Sequence, residues 1–105
     1  MAQKLLTKAL AKKLPALYSQ EDKTAAEVKV PVKFFTPWAN WTWYATEFDG
    51  EDTFFGWCAG PSPELGYFSL AELQSLKGPV GLTVERDAWW DEATTLAEVK
   101  EGAVT

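Results

Sequence analysis

Leu6, Leu10, Leu14 and Leu17 fall within one arc of a helical wheel, while Lys4, Lys8 and Lys12 recur at spacing four on the far side. That pattern predicts an amphipathic N-terminal helix. Pro15 disfavours helical geometry at Leu14 and removes a backbone donor, so the helix is expected to stop or kink near Lys13. The next stretch, PALYSQEDKTAAE, reads as a short turn of helix or a loop. From Val28 the period changes to two, with Val28, Val30, Val32 and Phe34 alternating with Lys29, Pro31 and Lys33. This is the mark of a half-buried strand. Pro31 cannot donate to a sheet ladder, so either the strand lies at an edge or its outward side is free at that position.

The densest strand signals follow between Phe34 and Phe68, a stretch that holds four of the six tryptophans. Trp41 to Phe48 is rich in aromatic and β-branched residues and places Trp41, Trp43 and Ala45 on one face and Thr42, Tyr44 and Thr46 on the other. Asp49-Gly50 is a favoured hairpin dipeptide, because both residues tolerate the positive φ such turns need. The return strand is Thr53 to Ala59. Gly60-Pro61-Ser62-Pro63 then forces a loop before a short fourth strand, Leu65 to Phe68. Ser69 followed by Glu72 fits a capping box that opens a helix through Leu70, Leu73 and Leu76, and Lys77-Gly78-Pro79 ends it. VGLTVE reads as a loop with a short strand, and the tail from Ala93 as a last helical turn before fraying. The expected fold is α+β, one domain over residues 1–105. An antiparallel sheet of three to four strands carries an N-terminal helix and a capped helix after the fourth strand, with the helices on one face.

Composition adds a chemical boundary. The 105 residues are 47% apolar and 14% aromatic, enough large side chains for a real core. The net charge of −5 is uneven: residues 1–33 carry +4 and residues 34–105 carry −9. A general nucleic-acid binder needs the opposite sign, because its affinity comes from neutralising phosphates, so direct nucleic-acid binding is not expected. There is no histidine, which removes histidine triads, most zinc hydrolase sites and the usual neutral-pH base. Cys58 is the single cysteine, placed in an aromatic strand as a small buried residue, so neither an intramolecular disulfide nor a cysteine-held metal is expected. No run is apolar enough for a signal peptide or a membrane span, and the expected compartment is the cytoplasm. No P-loop or dinucleotide-binding glycine spacing occurs, and no cofactor is expected.

Carboxylates are the one abundant source of reactive groups. Glu47, Asp49, Glu51 and Asp52 cluster at the hairpin, and Glu85, Asp87, Asp91 and Glu92 lie close together near the end. Paired carboxylates catalyse or bind metal only in a cleft with shifted pKa values or defined oxygen geometry, and a hairpin tip is a poor place for either. Glu85-Arg86-Asp87 holds the only arginine and is the candidate ligand site, provided the three side chains converge beside an aromatic wall. Trp43 and Trp57 sit mid-strand, where core packing is expected. Trp38 and Trp41 flank a turn and Trp89-Trp90 lie in an irregular acidic stretch, which makes these four candidates for contact with a partner.

At KFFTPWANWTWYATEFDGEDTFFG, PELGYFSLAEL and VERD the chain resembles a bacterial family known as domain of unknown function 2958, from about Leu5 to Val99, with the likeness fading after Asp87. The resemblance implies a small cytoplasmic bacterial protein, often encoded on plasmids and other mobile elements, with no assigned activity and no catalytic residues to carry over. Two function classes follow. One is an acidic interaction or accessory protein that docks on a protein partner, such as a host defence or DNA-handling component, using Trp38, Trp41, Trp89, Trp90 and the hairpin carboxylates. The other is a small-ligand binder or histidine-free enzyme built on Glu85, Arg86 and Asp87.

Overall fold

The structure is a computed structural model that describes residues 4–102. Its centre is one antiparallel sheet of five strands, β1 (Val32–Phe35), β2 (Thr42–Phe48), β3 (Thr53–Ala59), β4 (Glu64–Ser69) and β5 (Glu85–Arg86), in the spatial order β4-β3-β2-β1-β5. Three short helices surround it: α1 (Lys8–Ala11), α2 (Leu70–Ser75) and α3 (Leu96–Lys100). The sheet therefore has one strand more than the expected three to four. The extra strand forms where Phe34 pairs with Arg86 and Phe35 with Glu85, so β1 is an interior strand.

The two faces of the sheet bury different material. On the core face Val32, Phe34, Trp43, Ala45, Phe54 and Phe68 pack under Leu5, Leu14, Leu73 and Val84, with Leu10 of α1 and Leu70 of α2 beside them. Phe54 has no exposed surface and touches three rings: Phe48 at 4.5 Å, Phe68 at 5.1 Å and Phe34 at 5.4 Å between centroids. The outer face carries a smaller cluster of Val30, Tyr44, Trp57, Trp90 and Val99, the last from α3. Helices thus lie on both faces, not one. The aromatic richness of β2 and β3 makes this possible, because each strand has large side chains to bury on either side.

A bulge in β2 assigns the faces. Ala45 pairs with Gly56 and Glu47 with Phe55, which leaves Thr46 as an extra residue. Strict alternation would turn Glu47 into the core and Phe48 away from it. The inserted residue reverses this, so Phe48 stacks in the core and Glu47 faces outward. The Thr46 hydroxyl donates to the Phe55 carbonyl at 3.0 Å, holding the irregular step together. Gly56 is required opposite the bulge, since a Cβ there would lie 1.9 Å from the Tyr44 carbonyl oxygen.

Local signals set the ends of the elements. Thr7 accepts the Leu10 N–H at 3.2 Å and starts α1 at Lys8, so the expected long amphipathic helix is a single turn. Its leucine stripe is still used: Leu14 is buried and Leu6 and Leu10 are partly so, while Lys4, Lys8 and Lys12 are exposed. Met1 to Gln3 of the expected helix, and residues 103–105 of the expected fraying tail, lie outside the described residues. At the start of α2, Ser69 accepts the Glu72 N–H at 3.2 Å, but Asp52 replaces the second half of the expected box. Its carboxylate accepts the Ala71 N–H at 2.8 Å and the Ser69 hydroxyl at 2.5 Å. The reciprocal capping box belongs instead to Thr95 and Glu98, at the start of α3. Pro31 splits the alternating valine run: Val32 joins the core face, whereas Val30 joins the outer cluster and its N–H donates to the Thr94 carbonyl at 2.8 Å.

Candidate interaction surfaces

The four hairpin carboxylates are mostly engaged within the fold. Glu47 is buried, and its two oxygens accept the N–H groups of Tyr18 at 2.8 Å and Gln20 at 3.2 Å. This fixes the loop in which Tyr18 takes a positive φ of 67°. Asp49 accepts the N–H groups of Glu51, Asp52 and Thr53 and so closes the turn. Those hydrogen bonds, led by the one from Glu51, hold the Asp49 carboxyl below its ordinary range. Asp52 caps α2 as described. Glu51 is exposed. The hairpin therefore contributes negative charge to the surface, while three of its four carboxylates serve structure.

Trp38 and Trp41 lie at the opposite end of β2 from that hairpin. Trp41 stacks on Trp43 with ring centroids 5.8 Å apart, and the Trp41 and Trp38 rings lie so close over Gly60 and Gly78 that neither glycine has room for a Cβ. With Thr36, Leu76 and Lys77 they line an open groove of about 510 Å³. Cys58, expected to be buried, is half-buried and also faces this groove, and burial followed by the nearby Glu64 charge pushes its thiol up.

Glu85, Arg86 and Asp87 border one open pocket of about 350 Å³ with Lys33, Phe35 and Trp89. Arg86 pairs with Phe34 and so projects from the core face, where its guanidinium donates to the carbonyls of Lys4 and, at 3.0 Å, Leu5. Glu85 pairs with Phe35 and projects the other way. Asp87, one step beyond the strand, lies on that outer side with its carboxylate 3.6 Å from the Lys33 ammonium. Alternation therefore turns the Arg86 guanidinium towards the N-terminal segment and leaves Glu85 and Asp87 together on the outer side. Among the described residues no group of three or more acidic, cysteine or histidine side chains is placed to hold a metal ion.

The turn after β5 is tightly held. The Asp87 N–H donates to the Lys33 carbonyl at 3.0 Å, and an Asp87 carboxylate oxygen accepts the Trp89 N–H at 2.9 Å. The Trp90 ring nitrogen donates to the Val30 carbonyl at 2.7 Å. The Trp90 ring also packs near Tyr44 and over the buried Lys33 ammonium, 5.2 Å from its centroid. Burial, then the Asp87 charge, pushes the Tyr44 phenol up. Trp90 is thus an internal anchor. Trp89, its neighbour, is 95% exposed.

A further surface escaped the sequence reading. Leu65 and Tyr67 on the outer face of β4 are 41% and 54% exposed. Tyr67 meets Tyr18, to whose hydroxyl it donates at 3.2 Å. These three border a cavity of about 320 Å³ with Phe55, Thr46, Lys23 and Lys100. The hydrogen bond to Tyr18, then burial, then the charges of Glu47 and Glu21 push the Tyr67 phenol up. Nothing local marks this surface, because exposure of β4 follows from its place at the end of the strand order.

No helix among the described residues is long and apolar enough to cross a membrane. No curated protein and no solved structure matches the chain. The aromatic β1–β4 framework, the capped helix after it and the short fifth strand are carried by the three sequence stretches noted at the outset. Residues 5–104 match the model of the family described as "Protein of unknown function (DUF2958)", and the chain belongs to that family.

Proposed function

We propose that this is an interaction protein without chemistry of its own, which docks on a cationic surface of a protein partner through Trp89 and the carboxylates around it. The observation that carries this reading is the contrast between Trp89 and its setting. The ring is 95% exposed, yet it stands on a turn held by Asp87 and by the internal Trp90 anchor. A rigidly displayed tryptophan loses little conformational freedom on binding, and tryptophan is among the residues most enriched at interface hot spots. Glu85 and Asp91 are exposed on either side of it in the chain, Glu92 beyond them is paired with Lys13 at 2.6 Å, and residues 34–105 carry −9. Charge of one sign around an aromatic anchor steers partners of the opposite sign.

A bacterial protein that handles DNA, or a host defence component that meets DNA, has such a cationic surface. The mobile-element setting implied by the family resemblance fits a partner of that kind. Binding within the cytoplasm is part of the same reading. The ligand-binding alternative at Glu85, Arg86 and Asp87 is supported less, because the Arg86 guanidinium is engaged by the Leu5 carbonyl and Asp87 lies beside the Lys33 ammonium, although the three border one pocket.

The test compares the tagged protein with its Trp89→Ala variant in bacterial extract at low and moderate salt, with mass spectrometry of what is retained and titration calorimetry on the purified partner. Wild type is expected to retain one basic partner at low salt and release it at moderate salt. The variant, still folded by circular dichroism, should bind about 30-fold more weakly, the loss expected for a hot spot of about 2 kcal/mol. Equal affinity of the two proteins for that partner would refute the reading.

A further inference from the structure

We infer that the protein pairs with a second copy of itself along β4, in an antiparallel register centred on Gly66. This is independent of the docking proposed at Trp89.

The backbone of β4 supplies the first reason. Leu70 donates its N–H to the Asp52 carbonyl at 2.8 Å, across the Thr53–Ser69 pair. That bond pattern belongs to a non-hydrogen-bonded pair. Alternation then makes Phe54–Phe68, Gly56–Gly66 and Cys58–Glu64 the hydrogen-bonded pairs, and turns the N–H and C=O groups of Leu65 and Tyr67 away from β3. The Phe55 carbonyl, which accepts from Thr46 on β2 and so points away from Tyr67, agrees with this phase. Since β4 ends the strand order, these two donors and two acceptors meet no other strand among the described residues. A six-residue strand in this state is a template for another strand.

The register follows from what β4 offers. With Gly66 opposite Gly66 of the second copy, Leu65 of each copy lies opposite Tyr67 of the other. All four outward groups of each chain are then paired, in four N–H···O bonds. On the outer face two half-exposed leucines meet two half-exposed tyrosines, and the axis passes between residues without side chains. Pro63 would fall opposite Ser69, where it has no N–H to give, so the ladder ends there on both sides. A shift that sets Tyr67 against Tyr67 leaves Leu65 facing Ser69, a poorer match.

Charge also fits. Glu64 lies opposite Phe68 and not against its own copy, so no like charges meet directly.

Sedimentation equilibrium from micromolar to millimolar protein tests pairing, and cross-linking tests the register. A Cβ at Gly66 meets only the Cys58 sulfur, at 3.9 Å, so Gly66→Cys in a Cys58→Ala background is tolerated. Under oxidised glutathione this variant should form an intermolecular disulfide at least tenfold faster than Val80→Cys in the same background, although Val80 is the more exposed of the two positions. Leu65→Lys/Tyr67→Lys, with fold retained by circular dichroism, should be monomeric throughout. A wild-type monomer at millimolar concentration, a dimer that persists in the double lysine variant, or equal cross-linking rates at positions 66 and 80 would each overturn the inference.

Discussion

The two edges of the sheet solve the same problem in opposite ways. β5 is only two residues long, and the chain leaves it at once through a turn pinned by Asp87 and Trp90, so that edge presents Trp89 and the exposed Glu85 beside little strand backbone. β4 is six residues long, and its outward backbone groups meet no other strand among the described residues. A strand closed off by its own turn is free to display a side chain to a foreign partner. A strand left open displays hydrogen bonds, which are best matched by another strand. Short edge strands and open ones therefore imply different kinds of contact, even within one sheet.

The contrast depends on the common core, and its largest disruption comes from there. Phe54→Ala should cost about 3–5 kcal/mol in urea unfolding, since the ring is fully buried against three others, and both edges should lose their definition together. Glu47→Ala acts on one edge only. Removing the acceptor of the Tyr18 and Gln20 N–H groups should destabilise the protein by about 1–3 kcal/mol and speed amide exchange in the loop that rests on Tyr67, with the turn after β5 unchanged. Trp90→Phe is the converse. Loss of the bond to the Val30 carbonyl should cost about 1 kcal/mol, raise exchange from Asp87 to Asp91 and weaken partner binding through Trp89, while β4 is unaffected.

The smallest effect is at the hairpin. Asp49 has a folded pKa below its unfolded value, so its contribution to stability is present above the unfolded carboxyl range and is lost as pH falls through the folded value. Asp49→Asn should therefore leave less of the stability difference between neutral and acid pH, with neither edge altered, as read from urea unfolding at the two pH values.

Much of the framework was legible because it is local. β2, β3 and β4 are aromatic or β-branched runs bounded by Asp49-Gly50 and by Gly60-Pro61-Ser62-Pro63, and their positions follow from those signals to within a residue or two. Leu14 and Leu10 pack as their spacing implied, although Thr7 starts the helix late and leaves it a single turn. The reversal of Glu47 and Phe48 was hidden, because a bulge at Thr46 leaves no trace in the alternation that precedes it. The Thr95–Glu98 capping box matches a readable pattern but lies in an acidic tail that otherwise resembles loop. Trp89 was a candidate from its acidic, irregular context, whereas its separation in role from Trp90 rests on a bond to Val30, 60 residues away. The open edge was not legible at all, since it depends on which strand pairs last.

Residue-resolved amide exchange by NMR, at low and at millimolar protein concentration, tests the difference between the edges most directly. Dilute protein should show an alternating pattern in β4, with Glu64, Gly66 and Phe68 protected and Leu65 and Tyr67 exchanging quickly. At high concentration Leu65 and Tyr67 should gain protection of tenfold or more, while Ala88 and Trp89 do not change. Protection at Leu65 and Tyr67 that is already high in dilute protein, or that never changes with concentration, would contradict an edge open in the monomer and closed by its own copy.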